Sequence, residues 1–306
     1  MTPSFKSLFT ASVAAVAFLA ASPALADDHS DTGAAALPSG PEGPALWKVS
    51  DEDTTIYLFG TVHILPRDVQ WYDAEIDAAL TSSDTVVTEV LMDGQSEAAM
   101  QQLAMSTGMF QDGRTLRSVL DEDQKAVYEA TLSSMGIPAQ AFDPFEPWMA
   151  GLTLAVLPLL QQGYDMEAGV DKVILGKAGD TPKGALETAE FQLGIFDGLP
   201  LDKQIAFMME TVEGIDEVKE TLDAMVTEWV EGDADGLADI MNEGLGDETL
   251  AEALLYQRNA NWAEWIDTRM QEPGTVFIAV GAGHLAGEKS VQDYLAERDI
   301  TAERIQ

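Results

Sequence analysis

Four short runs stand apart from a chain whose apolar residues otherwise recur at helical spacing. They are Thr55–Gly60 ("TIYLFG"), Thr85–Leu91 ("TVVTEVL"), Lys183–Thr188 ("KGALET") and Thr275–Gly281 ("TVFIAVG"). Polar residues or glycine bound each run, and the first, second and fourth are rich in β-branched or aromatic residues. That is how buried strands read. Ala45–Ser50 ("ALWKVS"), followed by the turn residues "DEDT", predicts a further strand leading into the first as a hairpin.

Most of the remainder predicts helix. "DVQWYDAEIDAALTSSD" places apolar and acidic residues at helical spacing, and "DEDQKAVYEATLSSMG" has acids in its first turn and Gly136 at its end. "PFEPWMAGLTLAVLPLLQQGY", "EAGVDKVILGKAGD" and the run from Leu201 to Asp233 follow, then a long segment from Glu248 to Pro273. The most apolar stretch, Trp148–Leu160, is too short to span a bilayer, contains Pro158 and predicts a core helix. No repeat at solenoid periods is present. The pattern predicts an α/β (α+β) fold: a central mixed sheet with flanking helices, and a helical insertion over about residues 96–240.

The ends refine the domain plan. Lys6, an apolar stretch and the small-x-small pattern Ala24-Leu25-Ala26 predict a cleavable signal peptide, residues 1–26, cut after Ala26. Residues 27–44 are polar, small and Pro/Gly-rich, and predict a flexible leader in which His29 is a solvated bystander. The folded domain is then 45–306, in a periplasmic or secreted protein with no membrane span after signal cleavage. The chain contains no cysteine, so neither disulfides nor a lipid-bearing cysteine are available. Its formal charge is −37, and −38 without Lys6. This argues against nucleic acid or an anionic membrane as partner, because both reward basic patches.

Candidate chemistry begins with the histidines. The chain has 3, and the two outside the leader share a context: "YLFGTVHIL" and "IAVGAGHLA" are each an apolar strand followed by Gly-x-x-His, Gly60 with His63 and Gly281 with His284. Ligand crevices in open α/β sheets form at the carboxyl ends of strands, and glycine permits a tight turn or close backbone approach there. A matched pair in such places predicts ligands or an acid–base pair. Glu89, an acid within an apolar run, fits a buried, paired or metal-bound carboxylate, with an edge position facing water as the alternative. Glu187 ends another strand run and reads equally as a first-turn helix acid. Arg258 and Asn259 lie in an aromatic setting with Tyr256, Trp262 and Trp265. There Arg258 would pair with Glu89 or Glu187, bind a substrate anion, or sit on the polar helix face. Arg67 and Asp68 are expected at the cleft entrance.

Two imidazoles and one or two carboxylates predict a divalent metal site for manganese, cobalt or zinc, able to activate water or polarise a carbonyl. No nucleophile elbow, phosphate-binding loop or H-E-x-x-H helix competes.

The blocks "LFGTVHILP", "VVTEV", "LETAEFQL", "LLYQRNANWA" and "VGAGHLAG", in this order, resemble the TraB/PrgY/GumN family, from about Leu46 to the C-terminus. The resemblance implies a metal-dependent hydrolase, a peptidase acting on a peptide or protein substrate. It also implies an α/β core related in shape to the erythromycin esterase and ChaN-like folds. His63, His284 and Glu89 match the family's metal and catalytic positions, and Glu187, Arg258 and Asn259 its other polar positions. Two alternatives stay open: a non-catalytic binding protein for haem, metal or a signalling peptide, and an envelope scaffold whose histidines are structural.

Overall fold

The computed structural model describes residues 43–91, 94–242 and 248–306. The expected signal segment and all but the last two positions of the expected leader lie outside the described residues.

Six strands form the main sheet: β1 (Leu46–Ser50), β2 (Thr54–Thr61), β4 (Thr85–Thr88), β6 (Lys183–Ala185), β7 (Gly274–Gly281) and β8 (Glu303–Arg304), in the order β6-β4-β7-β2-β1-β8. The expected hairpin is present: β1 runs antiparallel to β2, with Leu46 opposite Phe59, and Asp51 Oδ1 accepts from the Thr54 N–H at 2.8 Å to close the turn. From β2 to β6 all neighbours are parallel, so the carboxyl ends of β2, β7, β4 and β6 share one edge. The β2–β7 register sets Gly60 beside Val280 and Thr61 beside Gly281. A separate two-stranded ribbon joins β3 (Leu65–Pro66) to β5 (Tyr164–Asp165).

The helices are α1 (Ala74–Thr81), α2 (Gly94–Thr107), α3 (Glu122–Ser134), α4 (Pro147–Gln161), α5 (Val170–Lys177), α6 (Ala189–Asp197), α7 (Leu201–Glu213), α8 (Val218–Glu231) and α9 (Ala234–Asn242). Toward the C-terminus come α10 (Glu248–Ala251), α11 (Gln257–Arg269) and α12 (Val291–Ala296), with a wide π turn, Glu252–Tyr256, leading into α11. The predicted continuous run from Leu201 breaks after α7, where Gly214 closes the helix on the Glu210 carbonyl.

Both faces of the parallel strands are covered, which is why their sequences read as apolar runs. Along β7 the alternation is clean: Val276, Ile278 and Val280 pack with Trp262 and Ile266 of α11 and Val291 of α12. Phe277 and Ala279 face the opposite core, with Ile76 of α1 and Phe59 of β2. The apolar helix α4 is buried on most of its surface, with Trp148, Leu152 and Leu154 fully covered. Among the described residues no helix is long and apolar enough to cross a membrane. The chain between β4 and β7 is mostly helical, yet it returns to the sheet edge at β6. It then lays α8 over the end of β2, where Trp229 Nε1 donates to the Gly60 carbonyl at 2.9 Å.

Candidate functional site

The two Gly-x-x-His segments leave adjacent strands of the sheet at the same edge. Of the two roles the sequence leaves open to the glycines, the structure shows the close approach. Neither takes a left-handed conformation; each closes a strand and permits close approach. A Cβ on Gly60 would lie 3.0 Å from the Ala282 Cα, and one on Gly281 would lie 3.1 Å from Glu89 Oε1.

His63 follows β2 by two residues and is held by the start of α5. Val170 N–H donates to the Val62 carbonyl at 2.9 Å. Gly169 packs so tightly on His63 that a Cβ would stand 2.3 Å from its carbonyl oxygen. That seating brings Asp171, in the first turn of α5, to 2.7 Å from His63 Nδ1. Burial works against the charged imidazole, but the Asp171 carboxylate outweighs it, pushing His63 up to about 9. Local sequence could not single out Asp171, because an acid in a helix's first turn is ordinary.

His284 lies in a 3-10 turn, Ala282–Leu285, directly after β7 and is 1% exposed. Its ring packs on Trp262 with centroids 4.3 Å apart, and its Nδ1 lies 2.6 Å from Asn259 Oδ1. Burial, and then the positive charge of Arg258, pull its pKa down to about 3, so it is neutral. The Nε2 of both histidines is buried without a hydrogen-bond partner, as is the Thr61 hydroxyl.

Glu89 is the first residue past β4, outside the strand and not within it as the Thr85–Leu91 run suggests. It is 7% exposed rather than facing water. Its Oε1 accepts from the Gly281 N–H at 2.7 Å and lies 3.8 Å from His284 Nε2. Its Oε2 accepts from Gln192 at 2.8 Å and from Arg258 Nη2 at 2.6 Å. Burial opposes the carboxylate, but Arg258, the two histidines and the Gly281 N–H overcome it, holding Glu89 well below the usual carboxylate range.

Behind Glu89 stands a second carboxylate. Backbone pairing continues past β4 and β6, where Glu187 N–H donates to the Glu89 carbonyl at 2.8 Å, so the two acids arrive side by side. Arg258 joins them. Its Nε donates to Glu187 Oε1 at 2.9 Å, its Nη2 to both acids, and its Nη1 to the Leu254 carbonyl at 2.8 Å. Trp262 Nε1 and Gln192 complete the shell of Glu187, each at 2.9 Å. Arg258 is therefore a buried bridge and not an exposed helix residue, its charge held up by Glu89 and Glu187 against burial.

These groups surround one cavity of about 60 Å³. His63, His284, Glu89, Arg258, Gln192 and Thr61 line it. Glu187 and Asn259 do not. They stand behind Arg258 and His284, and their oxygens are spent on holding those partners. Arg67 and Asp68 do not line it either: Arg67 turns to an ion pair with Asp165 on the ribbon. Among the described residues no three His, Cys, Asp or Glu side chains form a ready metal cage. Arg258, Gln192 and Gly281 hold the Glu89 oxygens, so the two imidazoles are the open donors.

The model of the TraB/PrgY/gumN family matches residues 45–304. The chain is 24% identical over 241 residues to the uncharacterized protein YbaP of Escherichia coli (strain K12), covering 78% of this chain and 87% of that one. The same figures hold for YbaP of Shigella flexneri. No solved structure matches.

Proposed function

Taking as premise that this chain belongs to the TraB/PrgY/gumN family, we propose that it is an exported, metal-dependent hydrolase acting on a peptide or protein. One observation carries the reading. Two buried imidazoles are tied back through Nδ1, one to a carboxylate and one to an amide, and both leave Nε2 without a partner at a single cavity. Metal-binding histidines are oriented in this way by partners behind them.

The donor chemistry fits a divalent cation. His63 and His284 would hold it through Nε2, with Glu89 Oε1 beside them, and imidazole donors suit zinc, cobalt or manganese. When bound, such an ion supplies Lewis acidity toward a carbonyl and toward water. The chain's own groups do the rest. Arg258 keeps Glu89 ionised, so Glu89 meets the attacking water as an acceptor through Oε1. The Thr61 hydroxyl offers a hydrogen bond to substrate inside the cavity. Arg258, buried with its donors on Glu89, Glu187 and the Leu254 carbonyl, fixes where the Glu89 carboxylate points. Glu187 and Asn259 act through Arg258 and His284 as positioning residues. Export of the chain, to the periplasm or outside the cell, rests on the signal pattern of residues 1–26, and the likeness to the erythromycin esterase and ChaN-like folds rests on the family resemblance.

Metal content and turnover, measured together, test the reading. Purified protein is expected to hold a stoichiometric divalent metal and to cleave peptides. His63→Ala and His284→Ala are each expected to lose both properties. Metal-free protein whose hydrolysis survives both substitutions would sink it. A second reading, a non-catalytic binder of haem, metal or a signalling peptide, is favoured by the largely apolar walls of the cavity; tight binding without product would establish it.

A further inference from the structure

The cavity is lined by two kinds of group. At the sheet edge stand His63 Nε2, His284 Nε2 and the Thr61 hydroxyl, all without partners. Most of the remaining lining is carbon, including Ile195 and Phe196 of α6, Leu222 and Met225 of α8, and Leu254 and Leu255 of the π turn. In that turn the Gln257 N–H reaches back five residues to the Glu252 carbonyl. Such wide turns gather at functional sites, and here the turn serves both kinds of lining at once. Its two leucines face the cavity while its Leu254 carbonyl takes Arg258 Nη1 at 2.8 Å. From α9, Met241 closes over the His284 turn so closely that a Cβ on Gly283 would meet its Cε at 2.0 Å.

Size and charge restrict the occupant. One ordered water needs roughly 10–15 Å³ on the same measure, so a cavity of about 60 Å³ holds a handful of water-sized groups. A leucine or methionine side chain is of the size such a space admits; an indole is too large for it. Glu89 is the one carboxylate among the described lining residues, with Glu187 behind Arg258 and Asp171 behind His63, which opposes an acidic occupant. The carbon wall offers a charged one no hydrogen-bond partner.

We infer that this cavity is a side-chain subsite that takes one aliphatic residue of leucine or methionine size, presenting the adjoining peptide bond to the polar lining at His63 and His284. The inference rests on the hydrolase reading for its choice of a peptide, but its selectivity can be read without turnover.

The test is equilibrium binding of blocked peptides acetyl-Ala-X-Ala-amide to the purified protein, followed by NMR of the peptide. Peptides with X = Leu or Met are expected to bind at least about tenfold tighter than those with X = Asp, Lys or Trp. Ile195→Trp, at a half-buried position of the lining, should abolish that preference. Met225→Ala, which enlarges the wall, should move it toward X = Trp. Equal binding of all five peptides overturns the inference, as does a preference that neither substitution changes, or capture of haem with no peptide bound. Metal content and cleavage are assayed on the same preparations. Aliphatic preference in a metal-free, inactive protein keeps the subsite and rejects the hydrolase; indifferent cleavage does the reverse.

Discussion

His284 donates its Nδ1 proton to Asn259 Oδ1 across 2.6 Å, and Asn259 cannot turn its amide round, because its Nδ2 donates to the Lys289 carbonyl at 2.8 Å. A side chain that does not line the cavity thus decides which nitrogen of a neutral imidazole carries the lone pair that does face it. Asn259→Ala should therefore weaken divalent-metal affinity by about 10–100-fold. It should cost about 1–3 kcal/mol of stability by leaving Nδ1 unpaired in the core. Chelator competition and urea unfolding measure the two effects; unchanged metal affinity would remove Asn259 from the site.

Arg258 is the only cation touching two buried acids, Glu89 and Glu187, among the described residues. Arg258→Leu leaves both carboxylates without it, and the expected loss is about 3–5 kcal/mol in urea unfolding. Arg258→Lys should recover only part of this, because an ammonium cannot fork between the two acids. A fully stable lysine variant would show that the fork geometry is idle.

Gly169 lets α5 seat against His63. Alanine there would put its Cβ 2.3 Å from the His63 carbonyl, and backbone must move to relieve that contact. Gly169→Ala should both destabilise the fold and reduce metal binding, since α5 carries Asp171. Thermal melts alongside metal titration provide the check, and a variant normal in both would contradict the seating.

Thr61 presents the opposite case. Its hydroxyl is buried at the cavity without a partner, and the residue is 3% exposed. Thr61→Val removes an unsatisfied polar group of similar shape, so stability should hold or rise. Under the hydrolase reading, kcat should fall with little change in metal content. Unchanged turnover would mean the hydroxyl meets nothing in the reaction.

Outside the cavity lining, Arg117 grips Asp143 with two hydrogen bonds, 2.8 and 2.7 Å, and reaches Glu129 of α3 at 3.0 Å. The paired guanidinium holds Asp143 below its ordinary 3.8, against a smaller opposing effect of burial. A depressed carboxylate contributes stability above the unfolded value and loses it as pH falls through the folded one. The stability gap between wild type and Arg117→Gln should therefore persist from pH 7 to about pH 4 and close below it. Urea midpoints at pH 7, 5 and 3 would show this, and a gap that widened in acid would reverse the sign.

Much of the site was legible because its residues break local patterns. Paired Gly-x-x-His motifs at strand ends are conspicuous in a chain with 3 histidines, and an acid inside an apolar run is costly unless it is paired. Asp171 and Gln192 were not legible. Each sits on a helix as an unremarkable polar residue, and only packing brings Asp171 to His63 and Gln192 to both acids. The long final segment reads as one helix, because a π turn leaves no mark in apolar periodicity.

What the sequence alone determined was five of the six strands of the main sheet, the strand-end placement of the two histidines and the family signature, since these follow from short-range pattern and residue chemistry; the two-residue strands β3, β5 and β8 exist only through their pairing. The tertiary structure decided how the work is divided. Register and helix docking put Glu89 and Arg258 on the cavity, set Glu187 and Asn259 behind it, and left the two Nε2 atoms open. Those outcomes depend on contacts between residues tens to hundreds of positions apart, such as the 169 separating Glu89 from Arg258, and no local pattern encodes such pairings.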